Sequence, residues 1–574
     1  MNHKDLSLRS RGIELSSLVL KNARIINVFN GLIEDADIAI EDGIIVGIGS
    51  YSGKTEIDLF HQYVSPGFID GHVHIESSML VPSEFAKIVM PKGTTSVIAD
   101  PHEIANVCGL DGIRFMIESS KKVPLDCFMM IPSCVPSTPY ETSGAKIDAK
   151  DLSAFLKEEN ILGLGEVMDY PGVILGKDDI YDKINIMKNH PIDGHSPGIY
   201  GKELNAYIMS GIQTDHEATS PLELMEKVSR GMYIHLREGS ATRNVKALSV
   251  AVNPLNSHRL LFCTDDKHPE DIKKEGHINY NINLAIENGV DPICAIQMAT
   301  INVATCYQLK GYGAIAPGYV ADLVVFDNLL YIEPKMVYKK GTLVAKNNIS
   351  LFESDTALND SVLNTVHIKT EDISFQIPLK SDKVNVIGLI KNNVTTLKII
   401  EKVKVVNGFY EQEDSSDLLK LAVIERHHFT GNIGLALVKG YGLKKGAIAL
   451  TIAHDSHNLM ILSDNDIDMK IAMDKIIEIG GGIVLVKEGK VMHSLTLEVG
   501  GIMTSKGSAH VEDLLYKMER DIRKMGVKDE IDDPFLSLAF LSLPVIPELK
   551  CTDFGLFDVN SFQIIPLEVE GGVL

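Results

Sequence analysis

The sequence predicts an α/β protein of three parts: a TIM-like (β/α)8 barrel over residues 64–312, a composite β-sandwich from residues 1–63 and 313–350, and a mixed α/β domain over 380–574. Three observations carry that reading. Between Val64 and Gln308, eight apolar runs each close on a polar or ionisable residue. Amphipathic segments of helical length separate several of them. The stretches on either side share another style, short alternating strands broken by tight turns.

Composition bounds the rest. A chain of 574 residues is too long for one core and should divide into about two to four domains. A hydrophobic content of 45% with 23% charged residues is that of a globular protein. A formal charge of −22 argues against nucleic acid as a partner, since phosphate would be repelled. No apolar run reaches the length of a membrane span; the nearest, Phe535 to Ile546, contains Pro544. Met1 to Arg11 is polar and charged, unlike a secretion signal. Seven cysteines without a Cys-x-x-Cys pair read as reduced thiols, so a cytoplasmic location is expected.

In chain order, Leu18–Leu20, Ala23–Val28, Ile38–Ile40 and Gly43–Ile48 alternate and are rich in β-branched residues, with turn signals at Asn30-Gly31 and Asp42-Gly43. The eight expected barrel strands then close on His72/His74, Asp100, Ser133, Glu166, His195, His216, His235 and Asp265. Helices are expected over Ser83–Met90, Ala149–Glu159, Lys202–Met209 and Ser220–Arg230. Eight such units over roughly 245 residues is the size of a TIM barrel. A doubly wound open sheet would instead gather ligands at one switch point. From Gly313 to Asp327 the strand-and-turn style returns, so this stretch is expected to rejoin the N-terminal strands. A polar stretch over residues 351–379 reads as a linker.

The strand ends carry the chemistry. In an extended chain, side chains two apart share a face, so His72 and His74 can grip one cation together. Gly163-Leu164-Gly165-Glu166 adds a carboxylate, Asp193-Gly194-His195 and Asp215-His216-Glu217 add imidazoles, and Thr264-Asp265-Asp266 adds two acids. Any one alone is equally an exposed acid or a satisfied core histidine. Together at one mouth they form the donor set that two divalent cations sharing a carboxylate require. Strand alternation would let only one of Asp265 and Asp266 point inward.

These features resemble the amidohydrolase superfamily. The strings Pro66–Met79, Ala99–Glu103, Asp193–Gly198, Leu236–Ser240, Cys263–His268, Glu425–His428 and Ala453–Asn458 resemble the adenine deaminase family within it. That resemblance implies two divalent metal ions, manganese or iron by preference with zinc possible. It implies His72 and His74 on one, His195 and His216 on the other, and Glu166 bridging where many relatives use a carboxylated lysine. Asp265 would contact a metal and move protons, with Asp266 near the substrate. Asp100 would orient the attacking water from behind the ligands, with Glu217 a further catalytic candidate. Glu76, Arg237 and Glu238 are candidates for holding a purine. The implied reaction is water attacking C6 of adenine, giving hypoxanthine and ammonia. A homo-oligomer, with no nucleic-acid or membrane partner, is expected. One rival is an amidohydrolase opening a cyclic amide or imide, which the ligand set also permits. Another is a metal-free scaffold. A small zinc deaminase is excluded, because it needs the missing Cys-x-x-Cys. The C-terminal region with His427, His428, His454 and His457 could be a lid, a dimer surface or a second ion site, with buried structural histidines the default reading.

Overall fold

The computed structural model describes residues 3–158, 160–354, 357–391, 393–413 and 416–569. Residues 1–2 and 570–574, at the ends of two expected domains, lie outside them. Eight parallel strands follow one another through the central region. Phe68–Val73, Thr94–Ala99, Asp126–Ile131, Ile161–Val167 and Ile192–Gly194 pair in sequence order as a five-stranded sheet. Thr214–Asp215, Tyr233–Arg237 and Leu260–Cys263 form a three-stranded one. The two sheets adjoin at both edges. The Gln213 amide donates to Ile192 O at 3.0 Å, and the Asp265 and His74 amides donate to His72 O and Asp265 O at 2.9 and 3.2 Å.

Every residue of Thr94–Ala99 is buried, as a parallel strand covered on both faces requires. Its alternate residues enter different cores: Ile98 packs with Ile69, Met130 and Leu261, and Val97 with the layer that includes the helices. Three of the four expected helices form, as Pro82–Val89, Gly201–Met209 and Pro221–Ser229; the fourth shrinks to Ala149–Leu152 followed by a 3-10 turn at Ser153–Phe155. Ser220 caps Pro221–Ser229, accepting the Glu223 amide at 3.3 Å, with proline in the first turn. Three expected strand ends shift. The third strand stops at Ile131, before Ser133, the eighth at Cys263, before Asp265, and His235 lies inside Tyr233–Arg237, which closes on Arg237 instead.

Both flanks of this region enter one nine-stranded sheet, in which Leu323–Phe326 runs antiparallel to Tyr63–Pro66. The Asp42-Gly43 turn has φ of 48° and 76°, the left-handed pair of a two-residue hairpin. Beyond it lies an eight-stranded, mostly antiparallel sheet running from Lys383 to Thr496, with helix Asp466–Ile479 packed against it. The described residues of 351–379 are not a free polar connection. Val362, Ile368, Phe375 and Ile377 are buried, and Ile368 and Phe375 pack against this sheet's core, because the polar run carries spaced apolar side chains.

This last region lies against the C-terminal ends of the parallel strands. The Thr504 amide donates to Met79 O at 2.8 Å, and the Thr142 amide to Asp553 Oδ1 at 2.9 Å. Among the described residues, no helix is long and apolar enough to cross a membrane.

Candidate metal centre

Glu166 is the last but one residue of its strand, buried to 2% exposure. Glycine precedes it for a steric reason: a Cβ on Gly165 would stand 2.1 Å from Asp100 Oδ2. That oxygen accepts the Glu166 amide at 2.9 Å, so Asp100 holds the backbone from which Glu166 projects. The Glu166 carboxylate is then divided between two groups of imidazoles. Oε1 lies 3.3 Å from His74 Nε2 and 3.7 Å from His72 Nε2. Oε2 lies 2.8 Å from His195 Nδ1 and 3.3 Å from His216 Nε2.

Asp265 closes the circle. Its Oδ1 is 3.0 Å from His74 Nε2 and 3.8 Å from His72 Nε2, and its other oxygen accepts from Arg237. The residue has φ of 59°, just past the end of its strand at Cys263. The alternation argument therefore lapses there, and both Asp265 and Asp266 line the cavity. Asp266 accepts from the Ser77 hydroxyl.

The His74 tautomer suits cation binding. His74 Nδ1 faces the Asp100 carbonyl at 2.9 Å; a carbonyl only accepts, so Nδ1 carries the proton and Nε2 turns inward. There it meets His72 Nε2 at 3.2 Å. Converging ring nitrogens and carboxylate oxygens, buried except for the partly buried His195, make the set of nitrogen and oxygen donors that divalent cations take. His72, His74 and Glu166 form one such group, and Glu166, His195 and His216 another. The residues fit a metal.

Electrostatics match. Burial opposes charge on Glu217, yet Arg237, with NH1 2.6 Å from Glu217 Oε1, pulls its carboxyl down to about 2. Burial likewise opposes charge on Asp265, and Arg237 again overcomes it, holding that carboxyl well below the usual range. His195 is raised to about 9 against its burial, by Glu217 and Glu166.

The structure thus brings His72, His74, Glu166, His195, His216, Asp265, Asp266, Glu217 and Arg237 together. The first of these stands behind the cavity wall, and the other eight line it. Asp100 lies behind Glu166 and is not part of the wall. Glu76 accepts the Ile104 amide at 3.2 Å and Glu238 faces Arg243 at 3.6 Å; neither borders the cavity. Burial raises both acids to about 7.

Other walls were not anticipated. His102, Glu103, His454 and Asp455 line the cavity, with Val394, Phe540, Leu543 and Ile546 as its apolar side. His102 Nδ1 is 3.6 Å from Glu166 Oε1. The signal for His102-Glu103 was present, two residues past the strand end at Asp100. For His454-Asp455 it was only a polar cluster far downstream.

A donor set of this kind at the ends of successive parallel strands defines a metal-dependent hydrolase of the amidohydrolase class, and residues 63–350 match the sequence model described as Amidohydrolase family. Residues 393–563 match the adenine deaminase C-terminal domain. The chain is 47% identical to adenine deaminase 2 of Carboxydothermus hydrogenoformans over 99% of both chains. It is also 47% identical to the adenine deaminase of Clostridium acetobutylicum, over 97% of this chain and 98% of that one, and to that of Listeria welshimeri, over 98% of both. The chain belongs to the adenine deaminase family.

Proposed function

We propose that this protein hydrolyses adenine to hypoxanthine and ammonia. The observation that carries this is the division of the Glu166 carboxylate between two imidazole groups, in a cavity walled by the adenine deaminase C-terminal region. Two divalent cations, manganese or iron, with zinc compatible, would be held by His72 and His74 on one side and His195 and His216 on the other. Glu166 would be shared and Asp265 would complete the set. Bound there, the pair lowers the pKa of water towards ~7 and so supplies a nucleophile at neutral pH.

The chain's own groups do the rest. Asp265, kept ionised by Arg237, takes a proton from the water that attacks C6 and returns it to the exocyclic nitrogen, which leaves as ammonia. Glu217, also ionised, and Asp266 face the substrate as hydrogen-bond acceptors. Asp100 fixes Glu166 through its backbone amide.

The hydrogen bonds at both seams support reading the two parallel sheets as one closed (β/α)8 barrel over residues 64–312. The composite β-sandwich of 1–63 and 313–350, a connecting segment 351–379 and a C-terminal domain of 380–574 complete the division. The protein is read as a cytoplasmic homo-oligomer that takes adenine and water and no membrane partner, and the charge of −22 disfavours nucleic acid. The test is incubation of the metal-loaded protein with adenine. Hypoxanthine and ammonia should appear in equal amounts, followed by ultraviolet absorbance; an enzyme that opens cyclic amides or imides would leave adenine unchanged.

A further inference from the structure

Glu103, His454 and His457 lie together, each at most 3% exposed. Two come from the C-terminal region and one from the helix that follows Asp100. Their arrangement resembles a third cation site, but the hydrogen bonds assign it otherwise. His457 Nδ1 accepts the Ala453 amide at 3.1 Å, so its proton is on Nε2, which donates to Glu103 Oε2. A nitrogen that carries a proton cannot ligate a cation. The other Glu103 oxygen faces His454 Nδ1 at 2.5 Å. Glu103 is held well below the usual carboxylate range, its burial outweighed by the histidines around it, and an ionised carboxylate only accepts. His454 Nδ1 is therefore its donor.

That chain of bonds leaves one atom over. His454 Nε2 is buried and has no hydrogen-bond partner, although its residue lines the cavity. Buried polar atoms are normally satisfied. The ring is fixed twice, by Glu103 at Nδ1 and by Phe540 stacked on its face, with centroids 4.5 Å apart and planes 16° from parallel. Phe540 lines the same cavity. An oriented imidazole with one idle nitrogen, in a wall with an aromatic face, is a site for a flat heterocycle with nitrogens at its edge.

We infer that His454 Nε2 hydrogen-bonds a ring nitrogen of the bound purine, and that Glu103 and His457 position it for that contact. The inference rests on the deaminase reading. It gives the C-terminal region a direct part in substrate binding, and His454 becomes a substrate-contacting residue supplied from outside the barrel.

The experiment uses the metal-loaded full chain. Wild-type turnover of adenine is measured first and tests the deaminase reading by itself. His454→Asn keeps an amide donor where Nδ1 stands and removes Nε2. Its KM for adenine should rise about 10- to 100-fold, the loss of one buried hydrogen bond, with bound metal and Tm unchanged. His454→Gln, whose longer amide reaches the Nε2 position, should recover part of that loss. An unchanged KM in His454→Asn, beside an active wild type, overturns the assignment. So does a fall in bound metal, which would make the cluster a cation site. A Tm collapse in both variants would make the role structural and overturn it equally.

Discussion

Replacing Lys227 by Met should unseat half of the metal centre from a distance. Lys227 lies on helix Pro221–Ser229 with its side chain wholly buried. Its ammonium donates to Asp215 Oδ2 at 2.8 Å, Glu223 Oε1 at 2.9 Å and Ser196 O at 2.8 Å. Asp215 in turn accepts the Ser196 amide at 2.9 Å and the Glu217 and Ala218 amides at 3.1 Å. It thereby ties the loop after His195 to the turn that carries His216. Methionine fills a similar volume but leaves the Asp215 and Glu223 carboxylates, 0% and 3% exposed, without their cation. Removing one partner from a buried ion cluster costs roughly 3–5 kcal/mol. At roughly 2–4 °C per kcal/mol for a domain of this size, Tm should fall on the order of 10 °C. Differential scanning calorimetry reads the change. A fall below about 1 kcal/mol in the single variant would refute the reasoning.

His72→Ala should lose tight binding of one cation and nearly all deamination while keeping its fold. Metal analysis beside circular dichroism checks this, and full metal content with ordinary turnover would remove His72 from the ligand set. Glu141 gives a pH signature away from the ligands. Burial first, then the neighbouring Asp455, pushes its carboxyl up to about 8 from an ordinary 4.5. Between those pH values the folded chain holds a proton that the unfolded chain releases, so this group's contribution to stability declines as pH rises. Glu141→Gln should therefore gain on the wild type in Tm from pH 5 to pH 8; a constant difference across that range would contradict it.

Much of the site was legible because its chemistry sits at strand ends. His72 and His74 share a face by simple alternation, and Glu166, His195 and His216 each follow an apolar run. Alternation misled at Asp265, where a left-handed residue just past the strand turns both acids inward. His235 looked like a strand end, yet it stacks on Tyr307 inside the strand, while Arg237 reaches the cavity. Glu76 and Glu238 adjoin the motifs in sequence, but their side chains turn to the Ile104 amide and to Arg243. Residues 351–379 read as polar because Val362 and Phe375, which bury, are outnumbered by their neighbours. The wall made by His454, Asp455 and Phe540 was beyond reach for a different reason. No local pattern tells how a distant segment folds back over the ends of the parallel strands; only the tertiary packing does.

The most direct test is stoichiometric. Metal-free protein is titrated with manganese while bound metal and adenine turnover are recorded together. Activity should climb until two ions per chain are held and then level off. Full turnover in the metal-free protein, or a plateau reached at one ion, would contradict the shared-carboxylate centre built around Glu166.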